Sequence, residues 1–184
     1  MALLQSNGVL GDADAAVAKA YDGVTVKPGK GVSHAREVAR ILREVGCDEP
    51  VQVAGLLHDV VEDTPWTVGD LAERFGGPLA ALVAAVTEDE AVRGYRRRKR
   101  ALRRQIAHAG PAAIDIALAD KVASLGYALA GGRRLPRRKL AHYEATIELA
   151  PGAAHPQLGA LAARLLAAAT DPASGPAPVI AAAD

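Results

Sequence analysis

Leu56-Leu57-His58-Asp59-Val60-Val61-Glu62-Asp63-Thr64 follows an apolar run, Val53-Ala54-Gly55-Leu56-Leu57, and precedes Pro65. The run predicts a helix. Pro65 ends it, because proline disfavours helical geometry in the residue before it. In a continuous helix His58 and Glu62 share one face, and so do Asp59 and Asp63. A helix that enters a core and finishes in His-Asp-x-x-Glu-Asp must satisfy those charges. Buried carboxylates without a partner are costly, and a divalent cation is a common solution.

Working outward, further ligand types lie on both sides. His34 stands upstream in Val32-Ser33-His34-Ala35-Arg36-Glu37, and Asp120 downstream in Ala117-Leu118-Ala119-Asp120-Lys121. His34, His58, Asp59 and Asp120 supply two imidazoles and two carboxylates. Such a mixed nitrogen and oxygen set suits Mn, Fe, Co or Zn better than Mg or Ca.

The order His34, His58-Asp59, Asp120 resembles the HD phosphohydrolase superfamily. The longer string Ala54-Gly55-Leu56-Leu57-His58-Asp59-Val60-Val61-Glu62-Asp63-Thr64, with the distant Leu118-Ala119-Asp120-Lys121, is narrower. It is similar to the hydrolase domain of the RelA/SpoT homologues, and especially to the stand-alone small alarmone hydrolases. The similarity runs from about Ala13 to Leu149. It implies an all-α, single-domain helical bundle of about eight to ten helices with a metal site in its core. It implies that His34, His58, Asp59 and Asp120 bind a divalent metal, usually Mn²⁺ in this branch. Glu62 and Asp63 then stand beside the metal and position or activate a water, the alternative being hydrogen-bonded support of the ligands. The implied reaction is removal of the 3′-pyrophosphate from guanosine tetra- or pentaphosphate. Two alternatives stay open. One is the same hydrolytic chemistry on a different nucleotide or dinucleotide phosphate, and the other is a nucleotide-binding regulatory module without turnover.

The resemblance also implies substrate contacts. Lys99 aligns with a family lysine that approaches the phosphates, its spacing to Asp120 being preserved. Two departures bear on the base and phosphates. Family members usually carry an Arg- and Lys-rich segment before the first histidine. Here Tyr21-Asp22-Gly23-Val24-Thr25-Val26-Lys27-Pro28-Gly29-Lys30-Gly31 keeps Lys27 and Lys30 and has no arginine. The family asparagine four residues after the metal-binding aspartate is replaced by Ser124, a shorter group with one hydroxyl.

Composition agrees with a helical fold. Half of the 184 residues are apolar, yet the chain has one Phe, one Trp and four Tyr, so Ala, Leu, Val and Ile must build the core. That length is enough for one domain with a substantial core. The expected organisation is a loose start over 1–11, the hydrolase domain over 12–170, and an Ala/Pro-rich tail over 171–184. The formal net charge of +1 points neither toward nor away from nucleic acid. Eight cations lie between Arg93 and Arg104, but no DNA-binding motif accompanies them, so no nucleic-acid partner is expected. Of these, Arg96, Lys99, Arg100 and Arg103 share one side of a helix. A second cluster, Arg133, Arg134, Arg137, Arg138 and Lys139, reads first as a solvated face and second as part of a field that attracts an anionic nucleotide. Cys47 is the only cysteine, which excludes an intrachain disulfide. With no secretion signal and no bilayer-length apolar run, a soluble cytoplasmic protein is expected, with homo-oligomers possible.

The helices are expected at Ala13 to Tyr21 with Asp12 or Asp14 able to cap it, His34 to about Val45 with Ser33 as cap, and from Glu49-Pro50 through the His-Asp stretch. Further helices follow at Val68 to Phe75 capped by Thr67, Pro78 to Val86, Arg93 to Ala107 after an acidic connection over Thr87 to Val92, Ala112 to Leu129 opened by Pro111, Pro136 to Leu149 and Leu158 to Ala169.

Overall fold

The computed structural model describes residues 8–171. Among them it contains ten α-helices, one 3₁₀ turn and no strand. The helices are α1 (Val9–Ala20), α2 (Val32–Glu44), α3 (Glu49–Leu57), α4 (Val60–Asp63), α5 (Val68–Phe75), α6 (Gly77–Val86), α7 (Tyr95–Ala109), α8 (Pro111–Ala130), α9 (Arg137–Ile147) and α10 (Pro156–Thr170). The all-α expectation holds. Of the expected loose start, 1–7 lie outside the described residues, as does the expected tail from 172 onward.

α8 is the central post. It buries Ile114, Ile116, Leu118, Val122 and Leu125, together with five alanines, around its whole circumference. A helix apolar on every side belongs in a core, and each large side chain fully buried there contributes about 1.5–3 kcal/mol. α2, α3, α6, α7, α9 and α10 all pack against α8. α2 is amphipathic by contrast. It buries His34, Ala35, Val38, Ala39, Ile41 and Leu42, while Arg40 on its outer side pairs with Glu37 and Glu44.

Several local expectations are corrected. α1 begins at Val9, four residues earlier than the apolar pattern suggested. Neither Asp12 nor Asp14 caps it. Gly8 is the cap, and Asp14 instead takes a two-pronged bond from Arg36 of α2, at 2.7 and 2.8 Å. α2 is capped by Gly31 at φ 81°, with Ser33 already inside the helix. Thr67 caps α5 as expected, in a reciprocal box with Asp70.

The largest correction falls on the central stretch. The expected continuous helix is two helices, broken at His58-Asp59. In an unbroken helix the Gly55 carbonyl accepts from the Asp59 amide. Here it accepts from His58 Nδ1 at 2.7 Å, and the Asp59 carbonyl restarts the ladder by accepting from the amides of Glu62 and Asp63.

Gly55 also sets the distance between α2 and α3. A Cβ there would lie 2.2 Å from Leu42 Cδ1 and 3.4 Å from Val38 Cγ1. Leu42 is fully buried, so it has little room to withdraw. Gly55→Ala is therefore expected to destabilise the fold by about 1–3 kcal/mol through overpacking. Thermal unfolding checks this, and an unchanged midpoint would contradict it.

Candidate functional site

Three elements meet at one point on α8. His34 comes from the first turn of α2, His58 and Asp59 from the α3–α4 break, and Asp120 from the middle of α8. His34 Nε2 lies 3.0 Å from Asp120 Oδ1, and the two imidazole centroids are 5.3 Å apart. His58 Nε2 is 3.2 Å from Asp59 Oδ1 and 3.9 Å from Asp120 Oδ1. One donor atom each from His34, His58 and Asp120 fits within 4.8 Å, and Asp59 Oδ2 lies 3.8 Å from His34 Nε2. All four predicted ligands are thus brought together, with His34, His58 and Asp59 buried.

The donor chemistry fits a divalent cation. A carbonyl only accepts, so the bond to Gly55 fixes the proton of His58 on Nδ1. That leaves Nε2 facing the carboxylates, buried and without a hydrogen-bond partner. Against burial, the charges of Asp59 and then Asp120 draw a proton toward this atom and raise the His58 pKa. A cation held there would replace that proton.

Two lysines answer the carboxylates. Lys30 Nζ lies 2.5 Å from Asp59 Oδ2, and Lys121 pairs with Asp120. Burial opposes ionisation of both acids. His58 and Lys30 nevertheless hold Asp59 well below the usual carboxylate range, and Lys121 and Lys30 do the same for Asp120. Ser124 donates to Asp120 Oδ1 at 3.3 Å from the next turn of α8. Lys30 and Ser124, both read as substrate contacts, are therefore turned onto the ligand cluster in this structure.

Glu62 and Asp63 sit one turn past the ligands. Glu62 Oε1 accepts from the Glu88 amide at 2.7 Å, and burial together with the charge of Asp59 pushes its carboxyl up to about 7. Asp63 Oδ2 accepts from the Tyr21 hydroxyl at 3.1 Å.

Glu62, Asp63 and Asp120 line a cavity of about 1080 Å³. Its remaining walls hold Glu88 and Glu90 but are dominated by cations, Lys27, Lys30, Arg98, Lys99 and Lys121 joined by Arg133, Arg134, Arg138 and Lys139. The second basic cluster thus lines the cavity, apart from Arg137, rather than forming only a solvated face. On the basic helix, Arg98 and Lys99 both pair with Glu88, which lies in the loop read from sequence only as an acidic connection. Arg103 turns elsewhere, donating to His142 Nδ1 at 2.9 Å.

His142 was not singled out by sequence reasoning. Arginine only donates, so His142 Nδ1 accepts and its proton sits on Nε2. That N–H is buried, has no hydrogen-bond partner and belongs to a residue lining the cavity. Burial and the nearby Lys121 push the His142 pKa down to about 2, so the ring is a neutral donor. No spacing signal marks His142. The roles of Glu88, Tyr21 and Lys121 were also unassigned, although an acid shortly before a run of cations is a usable hint. A deep basic cavity with carboxylates and imidazoles at one end can take a phosphorylated anion together with a cation.

Comparison with known proteins gives a consistent result. Residues 15–142 match the HD domain family. The guanosine-3′,5′-bis(diphosphate) 3′-pyrophosphohydrolase of Homo sapiens is 40% identical over 96 residues, which is 51% of this chain and 53% of that one. A probable GTP pyrophosphokinase of Mycobacterium leprae is 38% identical over 94 residues, 50% of this chain and 12% of that protein. The chain thus aligns with about half of the shorter curated relative and a small part of the longer one. A solved structure of a metazoan ortholog of SpoT, described as hydrolysing ppGpp and acting in starvation responses, superposes with a TM-score of 0.71 at 27% identity. That match covers 86% of this chain and 93% of the other.

Proposed function

This chain belongs to the HD domain family, and from that premise we propose that it is a Mn²⁺-dependent hydrolase that removes the 3′-pyrophosphate from guanosine tetra- or pentaphosphate. The observation that carries the reading is the convergence of His34, His58, Asp59 and Asp120 beside a large cavity with basic walls. The human relative's name and the described activity of the metazoan neighbour support the substrate. The catalytic unit is the helical domain within 12–170, working in the cytoplasm. Among the described residues no helix is long and apolar enough to cross a membrane.

His34, His58, Asp59 and Asp120 hold the metal. When bound, it lowers the pKa of a coordinated water and polarises a phosphoryl oxygen. Glu62 accepts a proton from the attacking water, and its bond to the Glu88 amide keeps the carboxylate in place. Asp63, fixed by Tyr21, orients the same water. Lys99, Lys27, Lys30 and Ser124 contact the nucleotide, which requires Lys30 and Ser124 to turn from Asp59 and Asp120 toward it. The pairs with Glu88 keep Arg98 and Lys99 poised at the cavity wall until phosphates compete for them.

His142 gives a specific expectation. Its buried Nε2–H has no acceptor among the described residues, and a phosphate or base oxygen supplies one. His142→Ala is expected to raise KM about tenfold, corresponding to about 1.4 kcal/mol, with little change in kcat. Steady-state kinetics check this, and an unchanged KM would remove His142 from the substrate site.

A second reading has its own observation. Lys30 and Ser124 contact the ligand cluster, and the departures from the family pattern fall at these positions. The same metal chemistry could then act on a different phosphorylated nucleotide. A panel of guanosine tetraphosphate, guanosine pentaphosphate, GTP and other nucleotide phosphates separates the two readings. Pyrophosphate release confined to the 3′-pyrophosphorylated nucleotides supports the first, and faster turnover of another nucleotide supports the second.

A further inference from the structure

A second group of ligand atoms lies elsewhere on α8. Cys47 sits in the turn between α2 and α3, Asp115 in the second turn of α8, and His155 immediately before α10. Cys47 Sγ is 3.3 Å from His155 Nδ1 and 3.9 Å from Asp115 Oδ2, and His155 Nδ1 is 2.8 Å from Asp115 Oδ2. Asp115 and Asp120 are five residues apart on one helix, so they project about 140° apart around its axis. This group is therefore separate from the HD cluster, and the proposed hydrolysis does not use it.

We propose that Cys47, Asp115 and His155 form a second metal site, selective for zinc or a similar soft divalent cation, that ties the α2–α3 turn to the starts of α8 and α10. Thiolate sulfur, imidazole nitrogen and carboxylate oxygen around tetrahedral zinc lie about 3.3–3.6 Å from one another. The three observed separations, 2.8, 3.3 and 3.9 Å, bracket that range and require side-chain shifts of about half an ångström.

The surroundings are already fixed. The His155 amide donates to Asp115 Oδ1 at 3.1 Å, which orients the carboxylate and leaves Oδ2 toward the other two groups. Gln52 donates to the Cys47 carbonyl at 2.7 Å, and Gln157 of α10 donates to the Val45 carbonyl at 3.2 Å, so the turn is held from both sides. Asp115 is 1% exposed and Cys47 4%, whereas the His155 side chain is 25% exposed. A buried carboxylate calls for a cation, and His155 leaves an approach from solvent. With three protein ligands, the fourth position faces that approach and takes water.

A Cys-His-Asp trio also suggests nucleophilic catalysis. Burial argues against it here, because with the charge of Asp115 it pushes the Cys47 thiol up to about 12. The other alternative is a purely hydrogen-bonded trio, with His155 and Cys47 both donating to Asp115.

Metal content separates these readings without any activity measurement. The full chain is loaded with Zn²⁺, dialysed and analysed for zinc, alongside Cys47→Ser, His155→Gln and His58→Ala. Two equivalents are expected in the parent chain, one in each single variant, and none in the His58→Ala/Cys47→Ser double variant. Cobalt-loaded His58→Ala, which keeps all three groups, should show a thiolate-to-cobalt charge-transfer band. The band should be missing when His155→Gln is added. This arm does not require Cys47→Ser to fold. Equal zinc content in the parent chain and His155→Gln, or cobalt-loaded His58→Ala without the thiolate band, would overturn the proposal.

Discussion

His58→Ala is expected to lower kcat at least about a thousandfold, the equivalent of losing about 4 kcal/mol of transition-state stabilisation. Its Nε2 is a buried atom with no hydrogen-bond partner among the described residues, facing Asp59 and Asp120. Removing it leaves His34 and the two carboxylates with one fewer neutral donor, so affinity for the cation falls with turnover. The helical body should survive, because His58 lies in a break between helices rather than in the packed face of α8. Its one internal bond, to the Gly55 carbonyl, is worth about 1 kcal/mol. Circular dichroism and metal analysis therefore belong beside the kinetics. A folded His58→Ala that turns over at the parental rate would refute the assigned metal site.

Glu62→Gln is the second large effect. The expected loss is about 10²–10⁴-fold in kcat with metal content unchanged. The substitution is well suited to the question, since the amide oxygen can still accept from the Glu88 amide while the side chain can no longer take a proton. The parent chain should also show an acidic limb. Glu62 must be ionised to act as a base, and burial with the charge of Asp59 pushes its carboxyl up to about 7. Below that value kcat should fall with falling pH, and above it should level off. A cation bound at the cluster moves the limb to lower pH. In Glu62→Gln the limb attributable to this group should vanish. Activity within a few fold of the parent would reduce Glu62 to an anchor for the Glu88 loop.

Much of the fold and the candidate ligand cluster was legible because each rests on local signals. Apolar spacing marked α2 and α8, Thr67 marked the start of α5, and proline marked the openings of α6 and α8. His34, His58-Asp59 and Asp120 were legible as ligand types, and folding α2 and the α3–α4 break onto α8 supplied the distances. The break itself was not legible. It depends on an imidazole taking the Gly55 carbonyl, an event that helix periodicity cannot register. The start of α1 was missed because Asp14 reads as a cap locally, while its partner Arg36 lies on another helix.

Long-range polar contacts account for the rest. Sequence marked Lys30 and Ser124 as substrate groups but could not show that the fold also brings them onto Asp59 and Asp120. The Arg133–Lys139 region looked solvated because nothing in sequence places it across from α7 and Asp120. Cys47, Asp115 and His155 are 68 and 40 residues apart, with no spacing pattern to connect them.

The most direct test incubates the purified chain with Mn²⁺ and guanosine tetraphosphate and identifies the products. The proposed reaction gives guanosine diphosphate and pyrophosphate in equal amounts, and both disappear with a chelator and in His58→Ala. Intact guanosine tetraphosphate after incubation with manganese-loaded, folded protein would contradict it.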